Sequence, residues 1–311
     1  MLADLRWRSL AKGAASFFLP SFRSSWHAQE RYVPEFFYQI FLRHFQHASP
    51  HMNATAGYHL AELGPGDTVG AGLAALISGA ERYTALDVEN ILDVERNLTT
   101  FDRLVELFQA RTPLSNAASF ADLFPYAVSE TFPAAIEENL SWSMAPERLA
   151  AIRADVKEQS GKYVSVSVPW EKQVLPPASV DWLMTHAVLE HIDLVEPAYE
   201  CFQTWLRTGG VMTHMIDFFS HGLTSTWNGH WCINDLTWAL IRGRRHYLIN
   251  RLPLSSHLAY LNKYGFEICE QLNHSAEGGR DRKCFARRFR NIPELDAHTR
   301  MVFLVCKALP N

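Results

Sequence analysis

The sequence predicts an α/β fold: one doubly wound sheet of seven strands, preceded by helical segments and carrying a helical insertion. Three observations carry this. A short apolar strand runs straight into Glu62-Leu63-Gly64-Pro65-Gly66. A second strand pattern ends on Asp87, 21 residues after Gly66. Strand patterns at 163–168, 179–185 and 211–216 then recur with helical stretches between them, as repeated βα units do.

In chain order, residues 1–56 read as helical material placed before the sheet. In Trp26 to His47, the residues Tyr32, Phe36, Phe37, Ile40, Phe41 and Phe45 recur at helical spacing. The first strand covers Tyr58 to Leu63, a helix of small residues follows at Ala71 to Ser78, and Arg82 to Asp87 reads as the second strand. Strand, glycine turn, helix and strand make one right-handed βαβ unit. Residues 90–160 have helical patterning at Phe101 to Ala110 and Pro146 to Lys157, broken by Pro113, Pro125 and Pro133. They read as a helical insertion covering the mouth of the site. The sheet resumes with Tyr163 to Val168, then Ser179 to Thr185 leading into a helix from about Leu189, then Val211 to Ile216. Segments 265–272 and 301–307 read as a terminal hairpin, so the main domain spans residues 57–311.

Composition narrows the function classes. The formal net charge is −4 and the pI about 6.4, without the basic footprint of a general nucleic-acid binder, so no nucleic acid is expected as a partner. The five cysteines are scattered with no C-x-x-C pair, which reads as free thiols in a reducing, cytoplasmic setting. No apolar run reaches the length of a membrane span. Residues 1–20 mix Arg6, Arg8 and Lys12 with Leu, Trp and Phe, the pattern of an amphipathic helix lying on the protein body or on a membrane surface.

The glycine turn is the most informative stretch. A strand turning abruptly into a helix needs residues without a Cβ where backbone and ligand come close, and the helix N-terminus behind it offers free N–H groups. A carboxylate at the end of the adjacent strand can accept hydrogen bonds from both ribose hydroxyls of an adenosine. The third glycine of the dinucleotide fingerprint would fall at Val69, which weakens a pyrophosphate reading. The acidic Glu62 suits a ligand carrying an amino group.

On these residues the chain resembles the class I S-adenosylmethionine (SAM)-dependent methyltransferases, whose fold is a Rossmann-like seven-stranded sheet. The resemblance implies that Glu62, Gly64, Pro65 and Gly66 face the methionine part of SAM and that Asp87 holds its ribose. Val168, in Val168-Pro169-Trp170, falls where the adenine is covered. Asp181 to Ile192 is similar to the fourth-strand motif with its Leu-Glu-His, placing His186 beside the cofactor. Leu206-Arg207-Thr208-Gly209-Gly210 is similar to the turn before the fifth strand. The departures are the long insertion after Asp87 and the stretch Thr224 to His230, which the general pattern does not place.

On the acceptor side, His186, His191, His214, Asp217 and His221 are expected at one sheet edge. His191 is the first candidate for a general base and His214 the second. The chain also resembles metal-dependent O-methyltransferases in its Glu190-His191, but Ala187 stands where those enzymes carry a first glutamate, so no metal ligand set is assigned; His214 or Asp217 would have to substitute. Trp227 to Trp231 and Asn250-Arg251-Leu252 are candidate acceptor-pocket residues, and Arg242, Arg244 and Arg245, or Arg287, Arg288 and Arg290, are basic clusters open to an anionic substrate or a membrane. The expected activity is methyl transfer from SAM to a small-molecule, sugar or lipid-linked acceptor, at oxygen. A nicotinamide-dependent oxidoreductase and a non-catalytic SAM-binding partner are the competing readings.

Overall fold

A computed structural model describes residues 5–22, 33–90, 93–115, 124–126 and 128–310. Seven strands form one sheet: β1 (His59–Leu63), β2 (Arg82–Leu86), β3 (Val164–Ser167), β4 (Val180–His186), β5 (Leu206–Asp217), β6 (Phe266–Ser275) and β7 (Thr299–Ala308). Their order across the sheet is β3-β2-β1-β4-β5-β7-β6. The first five pair in parallel, whereas β7 is antiparallel to both β5 and β6. The fold is thus the doubly wound, Rossmann-like sheet expected. The terminal pair is antiparallel as expected, but the two strands are separated by residues 276–298 and no tight hairpin joins them.

Strand β1 is buried on both faces because helices cover each side. Successive side chains alternate between those faces. Leu60 therefore joins one apolar cluster, while Ala61 and Leu63 join the other. Helix α1 (Trp7–Ser16) packs on the helix Asp235–Arg242. The first layer comprises α2 (Pro34–Ala48), α3 (Gly70–Ser78), α4 (Val94–Gln109), two single-turn helices at Ala134–Glu137 and Leu140–Ser143, and α5 (Pro146–Glu158). Helix α2 is core material: Phe41 and Phe45 lie 5.9 and 6.2 Å from the ring of Trp182 on β4. The expected aromatic helix accordingly runs from Pro34, and residues 26–32 of that segment lie outside the described residues.

The insertion is helical, as expected, but α4 packs on α2 and α3, and α5 packs on α4 and β3. Its described helices therefore extend the layer on one face of the sheet. Asp155 of α5 ties the layer to β3, its carboxylate accepting from the N–H groups of Lys162, Tyr163 and Val164 at 2.8–2.9 Å.

On the other face lie α6 (Val195–Trp205), α7 (Asp235–Arg242), α8 (Leu254–Lys263) and α9 (Glu294–His298). The helix expected from about Leu189 begins six residues later, because Leu189–His191 forms a buried 3-10 turn first.

Candidate functional site

Strand β1 pairs with β2 on one side and β4 on the other, both in parallel. The connections diverge there, so a crevice opens beyond the carboxyl ends of β1 and β4, where open α/β sheets bind ligands. The turn after β1 forms the floor of that crevice. Gly64 sits at φ +76°, and its N–H donates to the Leu86 carbonyl at 2.8 Å. A Cβ at Gly64 would come within 2.4 Å of Val188 Cγ2, so only glycine lets the turn pass beneath the segment after β4. Gly66 also has positive φ, +77°, and open space stands where its side chain would be.

The expected free N–H groups of α3 are in part taken. Val69 N–H donates to Asn97 Oδ1 at 3.1 Å and Gly70 N–H to Thr68 Oγ1 at 3.1 Å. Arg96, on the same first turn of α4 as Asn97, pairs with Asp67. The N-terminus of α4 thus braces the glycine turn from outside, a partner that periodicity in the sequence could not reveal.

Glu62 is buried on the α3 side of β1. The Tyr83 hydroxyl on β2 donates to its Oε2 at 2.6 Å. Burial pushes the Glu62 carboxyl up to about 7, the Tyr83 hydrogen bond opposes this, and the charge of Asp87 adds to it. Tyr83 can reach because α3 carries Gly72 over its ring, where a Cβ would stand 2.4 Å from three ring carbons.

Asp87 follows β2. Burial raises its pKa, and nearby N–H groups of Val88, Glu89 and Gly66 oppose the rise. Its backbone is held on both sides: its N–H donates to the Ser167 carbonyl at 3.2 Å, and its carbonyl accepts from Trp170 N–H at 2.9 Å. The cis peptide Val168–Pro169 lies between these two bonds, so Val168 stands beside the Asp87 loop. A groove of about 460 Å³ runs along the β3 edge from Gly161 up to Val168 and Asn90. Val69 and Asn97, at the glycine turn, line it as well.

The histidines separate. His186 closes β4, and its Nδ1 lies 3.1 Å from His44 Nε2, whose Nδ1 in turn meets Thr213 Oγ1 at 2.9 Å. Burial, then the Arg43 charge, lowers His186 to about 4. His44 was not singled out in the sequence, where it reads as one more position on an aromatic helix. His214 lies three residues inside β5, fully buried, stacked on Phe202 at 5.7 Å and bonded to Thr185 Oγ1 at 2.9 Å. Burial and the charge of His257 lower it to about 3. The expectation of His214 at the sheet edge is therefore corrected: β5 runs on to Asp217, so His214 points into the α6 layer.

His191 does reach the edge. Its Nδ1 lies 2.7 Å from the Tyr247 carbonyl, an acceptor only, so Nδ1 carries the proton and Nε2 keeps its lone pair. Burial lowers its pKa. Its ring meets that of His221 edge-on at 4.9 Å. Glu190 is 3% exposed, and neither carboxylate oxygen has a hydrogen-bond partner. Burial, then the charge of Asp217, raises its pKa; the backbone N–H groups of Glu190 and Asp217 oppose the shift without forming bonds of ordinary geometry. Glu190, His191 and His221 each place a ligand-capable atom within 4.8 Å of the others. Ala187 and His214 contribute nothing to this group.

The segment 247–252 was missed as a support. Asn250 N–H donates to the Glu190 carbonyl at 2.7 Å, and its Nδ2 donates to the carbonyls of Leu189 and Ile192. The Tyr247 side chain meets Glu89, tying the Asp87 loop to the segment that holds His191. Arg251 is 4% exposed, bonded to the Ile233 carbonyl and Asp235 and lying over the rings of Trp238 and Phe289. Trp231 is fully buried, its indole N–H donating to the Arg251 carbonyl. Trp231 is packing and not an open acceptor pocket, whereas Arg251, with Asn250, Leu252 and Arg288, lines a groove of about 610 Å³. Nor do Arg242 and Arg245 present a basic surface, since Arg242 pairs with Asp193 and Arg245 is buried against the Ile241 carbonyl. Arg287, Arg288 and Arg290 are exposed.

No protein-family model matches the chain, and no curated protein matches it in sequence. Among solved structures, the chain is similar to the CurJ carbon methyltransferase at 12% identity and a TM-score of 0.42, covering 89% of this chain but only 55% of that one. It is similar to an S-adenosylmethionine-dependent methyltransferase from Mesorhizobium loti at 14% identity and a TM-score of 0.39, covering 84% of this chain and 95% of that one. A third likeness is to the geranyl diphosphate C-methyltransferase from Streptomyces coelicolor A3(2), solved with Mg2+, geranyl diphosphate and S-adenosyl-L-homocysteine, at 9% identity, 91% and 86% coverage and a TM-score of 0.42. Likenesses at this distance identify neither a family nor a reaction. The chain's own topology and side chains carry the functional reading.

Proposed function

We propose that this chain is an enzyme that binds SAM in the crevice between β1 and β4 and transfers its methyl group to a small-molecule, sugar or lipid-linked acceptor, at oxygen. The observation that carries the reading is the convergence at one sheet edge of the Gly64–Gly66 turn, the buried Glu62, Asp87 and the Val168 loop. In it, Gly64, Pro65 and Gly66 bring backbone against the methionine part. Ionised Glu62 balances its ammonium through the polar groups at the turn, and Asp87 accepts from the ribose hydroxyls. Val168 lies against the adenine. The capped N–H groups of Val69 and Gly70 leave a pyrophosphate fewer donors than a dinucleotide site needs, which favours SAM over a nicotinamide cofactor.

Methyl transfer from a sulfonium is an in-line displacement, driven largely by positioning and by exclusion of water. An acceptor hydroxyl must also lose a proton. His191 is placed for that, with its Nδ1 proton committed to Tyr247 and its Nε2 free to accept. His186 is held between His44 and the end of β4, which suits it to shaping the cofactor side. Calorimetric titration with SAM and S-adenosylhomocysteine tests the site. Micromolar binding is expected, and Asp87→Ala should lose about 1–3 kcal/mol. A folded wild type that binds neither ligand would remove the reading.

No helix among the described residues is long and apolar enough to cross a membrane. We propose a peripheral contact through residues 1–20, supported by Trp7, Phe18 and Leu19, which are 72%, 84% and 50% exposed, with Arg8 over the Trp7 ring.

A further inference from the structure

We propose that Glu190, His191 and His221 form a binding site for one divalent transition-metal ion, with Asp217 behind it. Three features of the geometry meet here. Ligand-capable atoms of the three residues lie within 4.8 Å of one another, brought together from the turn after β4 and the loop after β5. The Glu190 carboxyl group is buried with both oxygens unbonded, a costly state for a polar group that has given up water. His191 is already oriented as metal-bound histidines are. One ring nitrogen donates to a backbone carbonyl, which leaves the other as a lone pair directed away from that bond.

The supporting shell is likewise in place. Asn250 grips the 189–192 turn through three carbonyls, so the Glu190 and His191 backbones cannot drift apart. Asp217 Oδ1 accepts from Phe219 N–H at 2.7 Å, and its Oδ2 stands 3.8 Å from His221 Nε2, beyond hydrogen-bond reach. The His221 ring stacks on Phe219 at 4.2 Å, which limits its swing. A cation at this point would favour the ionised form of the buried Glu190 carboxyl and of Asp217 beside it. Two imidazoles and one carboxylate suit Zn2+, Co2+ or Mn2+ and disfavour Mg2+ and Ca2+, which prefer oxygen ligands. Three protein ligands leave a coordination position open, and the exposed His221 gives solvent access to the group. With the ion bound, His191 Nε2 is a ligand and no longer a base, and a bound hydroxyl would lose its proton through the metal's acidity instead. An acceptor offering a hydroxyl or carboxylate oxygen fits the open position. This last clause rests on the methyl-transfer reading, whereas metal binding does not.

The test uses the full chain, stripped with chelator and dialysed against Zn2+ or Co2+, with bound metal counted by mass spectrometry and Co2+ followed by its visible absorption. The expected result is one equivalent bound and a Co2+ spectrum of low-symmetry nitrogen and oxygen coordination. Glu190→Gln and His221→Ala should each weaken binding by at least about 10–100-fold. His298→Ala, an exposed histidine outside the group, should leave it unchanged. His221 is itself exposed, so its alanine variant should stay folded, which circular dichroism checks. Folded wild type that retains no metal, or a His221→Ala variant that binds as tightly as wild type, would overturn the proposal. SAM titration on the same samples separates failure of this site from failure of the cofactor site.

Discussion

Removing one hydroxyl group, by Tyr83→Phe, tests whether Glu62 is the buried, charge-bearing acid of the cofactor crevice. In the structure the phenol donates to Glu62 Oε2 at 2.6 Å, with Tyr83 fully buried and Glu62 7% exposed. The Glu62 carboxyl is raised to about 7, above its ordinary 4.5, because burial outweighs that hydrogen bond. A carboxyl raised on folding is more readily protonated in the folded chain. Its burial cost is therefore fully present above about pH 7 and is relieved as pH falls toward 4.5. A hydrogen bond to the ionised form contributes about 1.5–3 kcal/mol and one to the neutral form about 0.5–1.5. Tyr83→Phe should accordingly destabilise more at about pH 8.5 than at about pH 6, by roughly 1–1.5 kcal/mol, and raise the Glu62 pKa by about one unit. Urea unfolding at the two pH values measures the difference, and carbon-13 NMR of the glutamate carboxyls follows the titration. The reading of SAM's ammonium balanced by ionised Glu62 adds that the variant should lose SAM affinity most near neutral pH. Equal destabilisation at both pH values would refute the reasoning, because Glu62 would then not be ionised where the argument needs it.

Gly64→Ala should cost about 2–5 kcal/mol, from left-handed backbone strain plus overpacking on Val188. The double variant with Val188→Ala should recover the packing part in denaturant melts, and strict additivity would count against the contact. His59, whose Nδ1 faces the Ser179 carbonyl and Nε2 the Thr84 hydroxyl, is lowered to about 4 by burial. The unfolded chain takes up this proton near pH 6.5, before the folded chain does. Stability from this group is therefore complete above about pH 6.5 and falls by roughly 3 kcal/mol toward pH 4; His59→Gln should flatten that part of the stability profile. Asp155→Ala removes an acceptor of three backbone N–H groups and should cost about 2–4 kcal/mol, seen as a lower unfolding midpoint. Trp7→Ser with Phe18→Ser should abolish flotation with anionic liposomes and leave SAM binding intact; flotation unchanged would place the membrane contact elsewhere.

The sequence by itself determined the strand and helix succession, the glycine turn and the acid after β2. Each rests on local rules: period-two and period-3.6 patterning, and the need for residues without a Cβ where a strand turns sharply. The edge positions of Asp87, His186 and His191 followed from the same reasoning, because ligand sites in such sheets lie at strand carboxyl ends.

What the tertiary structure decided are the partnerships between residues distant in the chain. His214 passes for an edge residue until the length of β5 is known, and β5 is extended to Asp217 by pairing with β7. The helices of 90–160 pack as a layer because their apolar faces meet α2, α3 and β3. Tyr83 reaches Glu62, Asn97 caps the glycine turn and Asn250 clamps Glu190 across separations of 21, 28 and 60 residues. No periodicity records such contacts, since they depend on which faces pack together. His221 joins Glu190 and His191 for the same reason: the loop after β5 and the turn after β4 are neighbours only because the two strands pair in parallel.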